Sequence, residues 1–162
     1  MITEIQINSD YMSRAREKAS SVGILQGSIT GGTRNVIGAI GEVVVADSIN
    51  ADEISTYDYD LVKDGKRIDV KTKRCNTKPL PYYECSVALH GTKQDCDTYV
   101  FVRVLSDMSK AWILGSISKK DFYDRATLYR KGDIDQDNGF VFRADCYNLR
   151  IDKLSPIHAI QK

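Results

Sequence analysis

An α/β fold, with a central mixed sheet of about five strands flanked by helices, is what the sequence predicts. Three observations point there. Apolar residues recur at helical spacing up to about residue 49; from residue 54 the period changes from near four to two; and two later segments, TYVFVRVL and AWILGSI, are almost continuously apolar. A chain of 162 residues is the size of one domain and can bury a real core, so residues 1–162 are read as a single domain.

The first helix is expected near residues 10 to 22. Ser9 or Asp10 can cap it, Met12, Ala15, Ala19 and Val22 line one face, and Gly23 ends it. The stretch GILQGSITGGTRN is rich in Gly, Ser and Thr and reads as a loop. It lacks the Gly-Lys-Ser/Thr ending of a phosphate-cradling loop. From Arg34 to about Ile49, RNVIGAIGEVVVADSI is apolar on most sides, with small residues at Gly38, Ala39 and Gly41. A buried helix packed closely on a sheet accounts for this, the Val43 to Val45 run leaving a strand as the alternative.

Candidate strands follow at 54 to 62, 66 to 73, 82 to 89, 98 to 105 and 111 to 117, the last two at the sheet centre. A short helix from Ser118 to Asp124, capped by Ser118, comes next. Short strands near 140 to 144 and 147 to 151 and a turn at Pro156 complete the chain.

Between the first two strands stands Lys63-Asp64-Gly65-Lys66, and Asp-Gly is a strong signal for a two-residue hairpin turn. Lys63 then pairs with Lys66, and continuing the ladder sets Asp60 opposite Asp69 and Asp58 opposite Lys71. Alternation collects these four polar side chains on one face and gives Tyr57, Tyr59, Leu61, Ile68 and Val70 to the other, which can pack on the 34–49 helix.

Directly opposed carboxylates destabilise a sheet unless something compensates them. A divalent cation does so, because hard oxygen ligands are what Mg²⁺ requires, and two carboxylates leave positions for water and a phosphate oxygen. Lys71, two residues beyond Asp69, would sit beside that water and stabilise negative charge growing on phosphorus. Asp58 is the alternative to Asp60, but only Asp60 lies opposite Asp69.

In order and context these residues resemble the PD-(D/E)XK nuclease superfamily, which includes restriction endonucleases, Holliday-junction resolvases and phage exonucleases. GAIGEVV supplies the helical Glu42, YDYDLV supplies Asp60, and RIDVKTK supplies Asp69 and Lys71; CDTYVFVRV and AWILGSISKKDF resemble the later core strands and helix. The likeness covers roughly residues 34 to 124, with Tyr59 standing where the family has its naming Pro. It implies a restriction-endonuclease-like core and a Mg²⁺ (or Mn²⁺) ion bound by Asp60, Asp69 and the Val70 carbonyl. It further implies that Lys71 positions the attacking water and that Glu42 binds a second metal or holds a metal-bound water.

The formal net charge is only +1, yet seven basic residues stand against two acids between Lys63 and Lys78. Lys73, Arg74 and Lys78, with Lys63 and Arg67 at the turn end, are the expected contacts to a DNA backbone, giving affinity without sequence preference. The expected activity is Mg²⁺-dependent DNA hydrolysis, endonucleolytic rather than from an end. The alternatives are a nucleic-acid-binding or assembly module without turnover, or RNA as substrate. A small domain often pairs to cut both strands, which makes a homodimer a further expectation.

Other features are declined. The N-terminus has neither a basic start nor an apolar stretch, and no window approaches the roughly eighteen apolar residues of a membrane span, so a cytoplasmic protein is expected. Cys75, Cys85, Cys96 and Cys146 form no CxxC pair and are read as reduced thiols. DIDQDNGF fails as a calcium loop, because its sixth position is Asn138 and its twelfth is Ala144. Trp112 and Tyr99 are read as core, and one of Tyr82 and Tyr83 as buried by alternation. With only His90 and His158, no serine or cysteine catalytic arrangement can be built.

Overall fold

The computed structural model describes residues 1–25, 33–135 and 139–161. A short strand β1 (Thr3–Gln6) precedes helices α1 (Ser9–Leu25) and α2 (Thr33–Ile49). Strands β2 (Asp52–Glu53), β3 (Leu61–Lys63), β4 (Lys66–Cys75) and β5 (Glu84–Ala88) follow. Then come β6 (Thr98–Leu105), β7 (Lys110–Ser118), helix α3 (Lys119–Arg125), β8 (Thr127–Tyr129) and β9 (Cys146–Arg150). The main sheet has the order β1-β7-β6-β4-β3-β2 and is mixed: β4 and β6 run parallel and every other neighbouring pair antiparallel. β5, β9 and β8 make a second, antiparallel sheet. The α/β class is as expected, but the strands are distributed differently: the one expected near 140 to 144 is reduced to a single bridge between Ile134 and Val141, and β8 was not anticipated. The 82–89 strand leaves the main sheet for the second one, and β1 and β2 supply its edges.

Helix α1 is capped by Asn8, one residue earlier than expected, whose Oδ1 accepts the Tyr11 N–H at 2.8 Å. Ala15 and Ala19 are its buried contacts, and Arg14 clamps it to α2 through Asp47 at 2.9 and 3.0 Å. The apolar 34–49 segment is helical, and its residues Ile37, Ile40, Val43, Val44, Val45 and Ile49 are all buried. Asn50, with φ of 52°, ends it, and the Ala51 N–H reaches back to the Ala46 carbonyl at 2.9 Å, the pattern of a Schellman motif. Gly41 sets how near α2 lies to the sheet: a Cβ there would stand 1.9 Å from Thr72 Oγ1 on β4. Only glycine permits that approach.

Alternation along β6 divides the interior. Val100, Val102 and Val104 face α1 and α2 together with Ile68, Val70 and Leu61, whereas Tyr99 and Phe101 face an aromatic cluster with Trp112, Leu114 and Phe122. Trp112 and Tyr99 are thus core, as read. α3 is capped as expected, Ser118 Oγ accepting the Asp121 N–H at 3.1 Å. All four cysteines are free, and burial pushes the Cys85 thiol up to about 12 and Cys96 up to about 11. Among the described residues no helix is long and apolar enough to cross a membrane.

Candidate metal and phosphate site

The hairpin turns where expected. Asp64 and Gly65 both have positive φ, 49° and 77°, as a type I′ turn demands, and the rungs Lys63–Lys66, Val62–Arg67 and Leu61–Ile68 form in the anticipated register. Beyond Leu61 the ladder stops, against the expectation of a strand from 54. The segment before it curls: Thr56 donates its N–H and its hydroxyl to the Tyr59 carbonyl, both at 2.9 Å, and the Ile54 and Ser55 N–H groups close on the Asp60 carbonyl. Tyr59 consequently packs with the aromatic cluster and Tyr57 is exposed, so neither joins Leu61 on the α2 side.

Asp60 therefore reaches the site from a turn instead of a ladder rung. Its N–H donates to the Ile68 carbonyl at 2.9 Å, and its Oδ2 accepts the Val70 N–H at 2.8 Å, replacing a strand carbonyl with a carboxylate. The N–H and C=O of one strand residue point toward the same neighbour, so the Val70 carbonyl lies on this edge as well. Asp58 is diverted: its Oδ1 accepts the Asp95 N–H at 3.2 Å instead of facing Lys71. Of the two candidate aspartates, Asp60 is the one held against β4.

Asp69 is 5% exposed, and Lys71 Nζ lies 2.7 Å from its Oδ2. Gln94, for which the sequence offers no signal, closes a ring. Its Oε1 accepts from Lys71 Nζ at 2.8 Å, and its Nε2 donates to Asp69 Oδ1 and to the Tyr57 carbonyl, both at 3.2 Å. The Tyr99 ring lies under the ammonium, 5.7 Å from its centroid. On the other side, Lys18 from α1 joins Glu42 at 2.6 Å and Glu53 at 2.8 Å. Lys18 too escaped sequence reading, because nothing local links α1 to residue 42.

These acids share one field. Burial above all, then the charges of Glu42 and Asp69, pushes the Asp60 carboxyl up to about 8, against the pull of the Val70 N–H and Lys71. Glu42 Oε2 and Asp69 Oδ2 are buried and meet their lysines by charge without hydrogen-bond angles, which leaves both oxygens acceptor capacity. Among the described residues no three His, Cys, Asp or Glu side chains converge tightly enough for a three-residue metal cage. The donor set that suits a hard cation here is smaller: Asp60, Asp69 and the Val70 carbonyl, with water filling the rest, which is within the habit of Mg²⁺. Glu42, expected at a second metal or a metal-bound water, is paired with Lys18 and lies near enough for its charge to act on Asp60.

Three of the five expected backbone-binding residues are held by partners within the protein. Arg67 is taken up by Asp95 and Asp97, with ion pairs of 2.7 and 3.1 Å and its own N–H on Asp97 at 2.8 Å. Lys63 donates to the Asn50 carbonyl at 3.3 Å and Arg74 to Ser106 Oγ at 3.2 Å. Lys73 and Lys78 are exposed, and Lys73 shares the Lys71 face of β4. Asp133 caps a turn through the Arg130 N–H at 2.7 Å; residues 136–138 of the declined calcium loop lie outside the described residues. Tyr82 and Tyr83 are both exposed, where alternation had suggested burying one. No protein-family model matches the chain, and no curated protein resembles it significantly.

Proposed function

We propose that the chain is a metal-dependent nuclease that hydrolyses DNA phosphodiester bonds, acting within strands, on a restriction-endonuclease-like core. The observation that supports this most is the placement of Asp60 on the Val70 N–H, beside a buried Asp69 whose partner is Lys71. Structural carboxylates are seldom gathered at one strand edge with more acid than base around them. Asp60, Asp69 and the Val70 carbonyl would hold Mg²⁺ or Mn²⁺. When bound, the ion supplies Lewis acidity and lowers the pKa of a water molecule.

The remaining work belongs to the chain's own groups. Lys71 is fixed from three directions, by Asp69, Gln94 and the Tyr99 ring, so its ammonium is preorganised to donate to a phosphate oxygen where negative charge develops. Lys73, one step further along the same face, can meet the next phosphate. Glu42 and Lys18 hold the field behind Asp60.

Supercoiled plasmid incubated with Mg²⁺, Mn²⁺ or EDTA tests the reading. Nicking is expected with either metal and none with EDTA. A gel shift without metal-dependent nicking would mean a binding module and would overturn the proposal.

A further inference from the structure

The second sheet has no part in the carboxylate site, yet with the main sheet it encloses a cleft of about 990 Å³. Lys73 and Arg103 come to it from β4 and β6, and Tyr82, Tyr83, Phe140 and Arg143 from the surrounding loops. Tyr82 is 59% exposed and Phe140 51%, each in edge contact with a neighbouring ring, Tyr83 and Phe142, so large rings are partly exposed around one concavity, where a folded surface ordinarily leaves few. Lys73 and Arg143 have no acidic partner among the described residues. Three acids also line the cleft, Glu84, Asp135 and Asp145, and two of them are partly occupied: Glu84 accepts from Asn148 at 2.9 Å, and Asp145 accepts the Lys131 N–H at 2.8 Å and pairs with Arg130.

The cleft does not end at Lys73. Lys73, Ser86 and Arg103 also line a smaller cavity of about 180 Å³ that includes Lys71. A path lined by basic residues therefore leads from Lys71 past Lys73 and Arg103 to the partly exposed rings. In a duplex the faces of the bases are covered by their neighbours except at its ends, so rings set in a concavity stack along a run of unpaired bases, while the basic groups follow the phosphates. We propose that this cleft binds a single-stranded DNA segment, its bases on Tyr82 and Phe140 and its phosphates on Lys73, Arg103 and Arg143. Resting on the nuclease reading, the substrate is then DNA with an unpaired stretch beside the cut.

Binding and cutting separate cleanly. Fluorescence anisotropy of the full chain in EDTA compares a labelled single strand of about 15 nucleotides with a blunt duplex of the same sequence. The single strand should bind at least about tenfold more tightly, and Tyr82→Ala and Arg143→Ala should each weaken it by about tenfold, with duplex binding and circular dichroism unchanged. Both positions are exposed, so neither substitution should prevent folding. Duplex binding equal to single-strand binding, or variants with wild-type affinity, would overturn the proposal. With Mg²⁺, a chain that cuts DNA should cut a duplex carrying a single-stranded tail faster than a blunt one, and equal, measurable rates on the two would also overturn it. Single-strand binding lost in the variants, from a chain that cuts nothing, would support the cleft and defeat only the nuclease reading.

Discussion

The two ends of strand β4 handle charge in opposite ways. Near the hairpin tip, Arg67 meets Asp95 and Asp97 at the surface, two acids on one guanidinium, in contacts that water and salt screen. Two residues along, Asp69 is buried, Asp60 is pressed against the same strand, and Glu42 adds its field from α2, with Lys71 and Lys18 as the basic partners. The tip is an ordinary surface network that ties β4 to the approach to β6. The inner end concentrates acid in a place where desolvation makes it costly, and such placement is characteristic of sites that use charge.

The largest expected difference between the two ends is in cleavage. Lys71→Ala should lower the rate of plasmid nicking by roughly 10²- to 10³-fold, the scale of losing one preorganised donor to developing charge. Arg67→Ala should leave it near wild type. Lys71→Ala also leaves Asp69 with Gln94 alone, so some loss of Tm accompanies it, and cleavage is to be compared at a temperature where circular dichroism shows both variants folded. A Lys71→Ala protein that nicks at the wild-type rate, or an Arg67→Ala protein that loses activity while folded, would break the distinction.

Next in size is a pH effect confined to the inner end. An unfolded aspartate releases its proton near pH 4, whereas Asp60 in the folded chain holds its proton up to about 8. Between those values the folded state binds the extra proton. This group's contribution to stability is therefore fully present below the unfolded carboxyl range and is lost as pH rises through about 8, by an amount on the order of a few kcal/mol. Asp60→Asn cannot titrate, so its Tm should fall less than that of wild type between pH 5 and 8.5 in EDTA. Parallel melting curves across that range would show that Asp60 is not held in this way.

Much of this contrast can be read from residues, and the limits have physical causes. The Asp-Gly turn sets the register for three rungs, and the apolar runs of β6 and β7 announce their central position, because both signals are local. Strict alternation fails at Asp60, because Thr56 and the Asp60 carboxylate offer the backbone side-chain partners that compete with the ladder. Two of the four polar positions expected on one strand face, Asp69 and Lys71, lie there as drawn, Asp60 arrives by another route, and Asp58 is turned away. Gln94 and Lys18 join the site through tertiary packing alone, so no spacing rule could have singled them out. Strand pattern marked 82–89 as extended but carried no information about which sheet it would enter.

The smallest effect concerns how α2 brings Glu42 near the inner end, and two glycines on that helix separate it from simple helix propensity. At Gly38 an added Cβ meets nothing within 4 Å, whereas at Gly41 it would collide with Thr72 Oγ1 at 1.9 Å and stand 3.0 Å from Thr72 Cβ. Gly38→Ala should therefore raise stability, by up to about 1 kcal/mol of helix propensity. Gly41→Ala gains the same propensity but forces α2 away from β4, and should lower stability by about 1–3 kcal/mol, as overpacking a close contact does. Thr72→Ala combined with Gly41→Ala removes the hydroxyl that is struck and should recover part of the loss, the rest remaining because the Thr72 Cβ is itself tight. Urea denaturation of the four proteins reads these differences directly. Equal midpoints for Gly38→Ala and Gly41→Ala would mean that the helix does not lie this close to the strand, and that Glu42 acts on Asp60 from further away than the packing here places it.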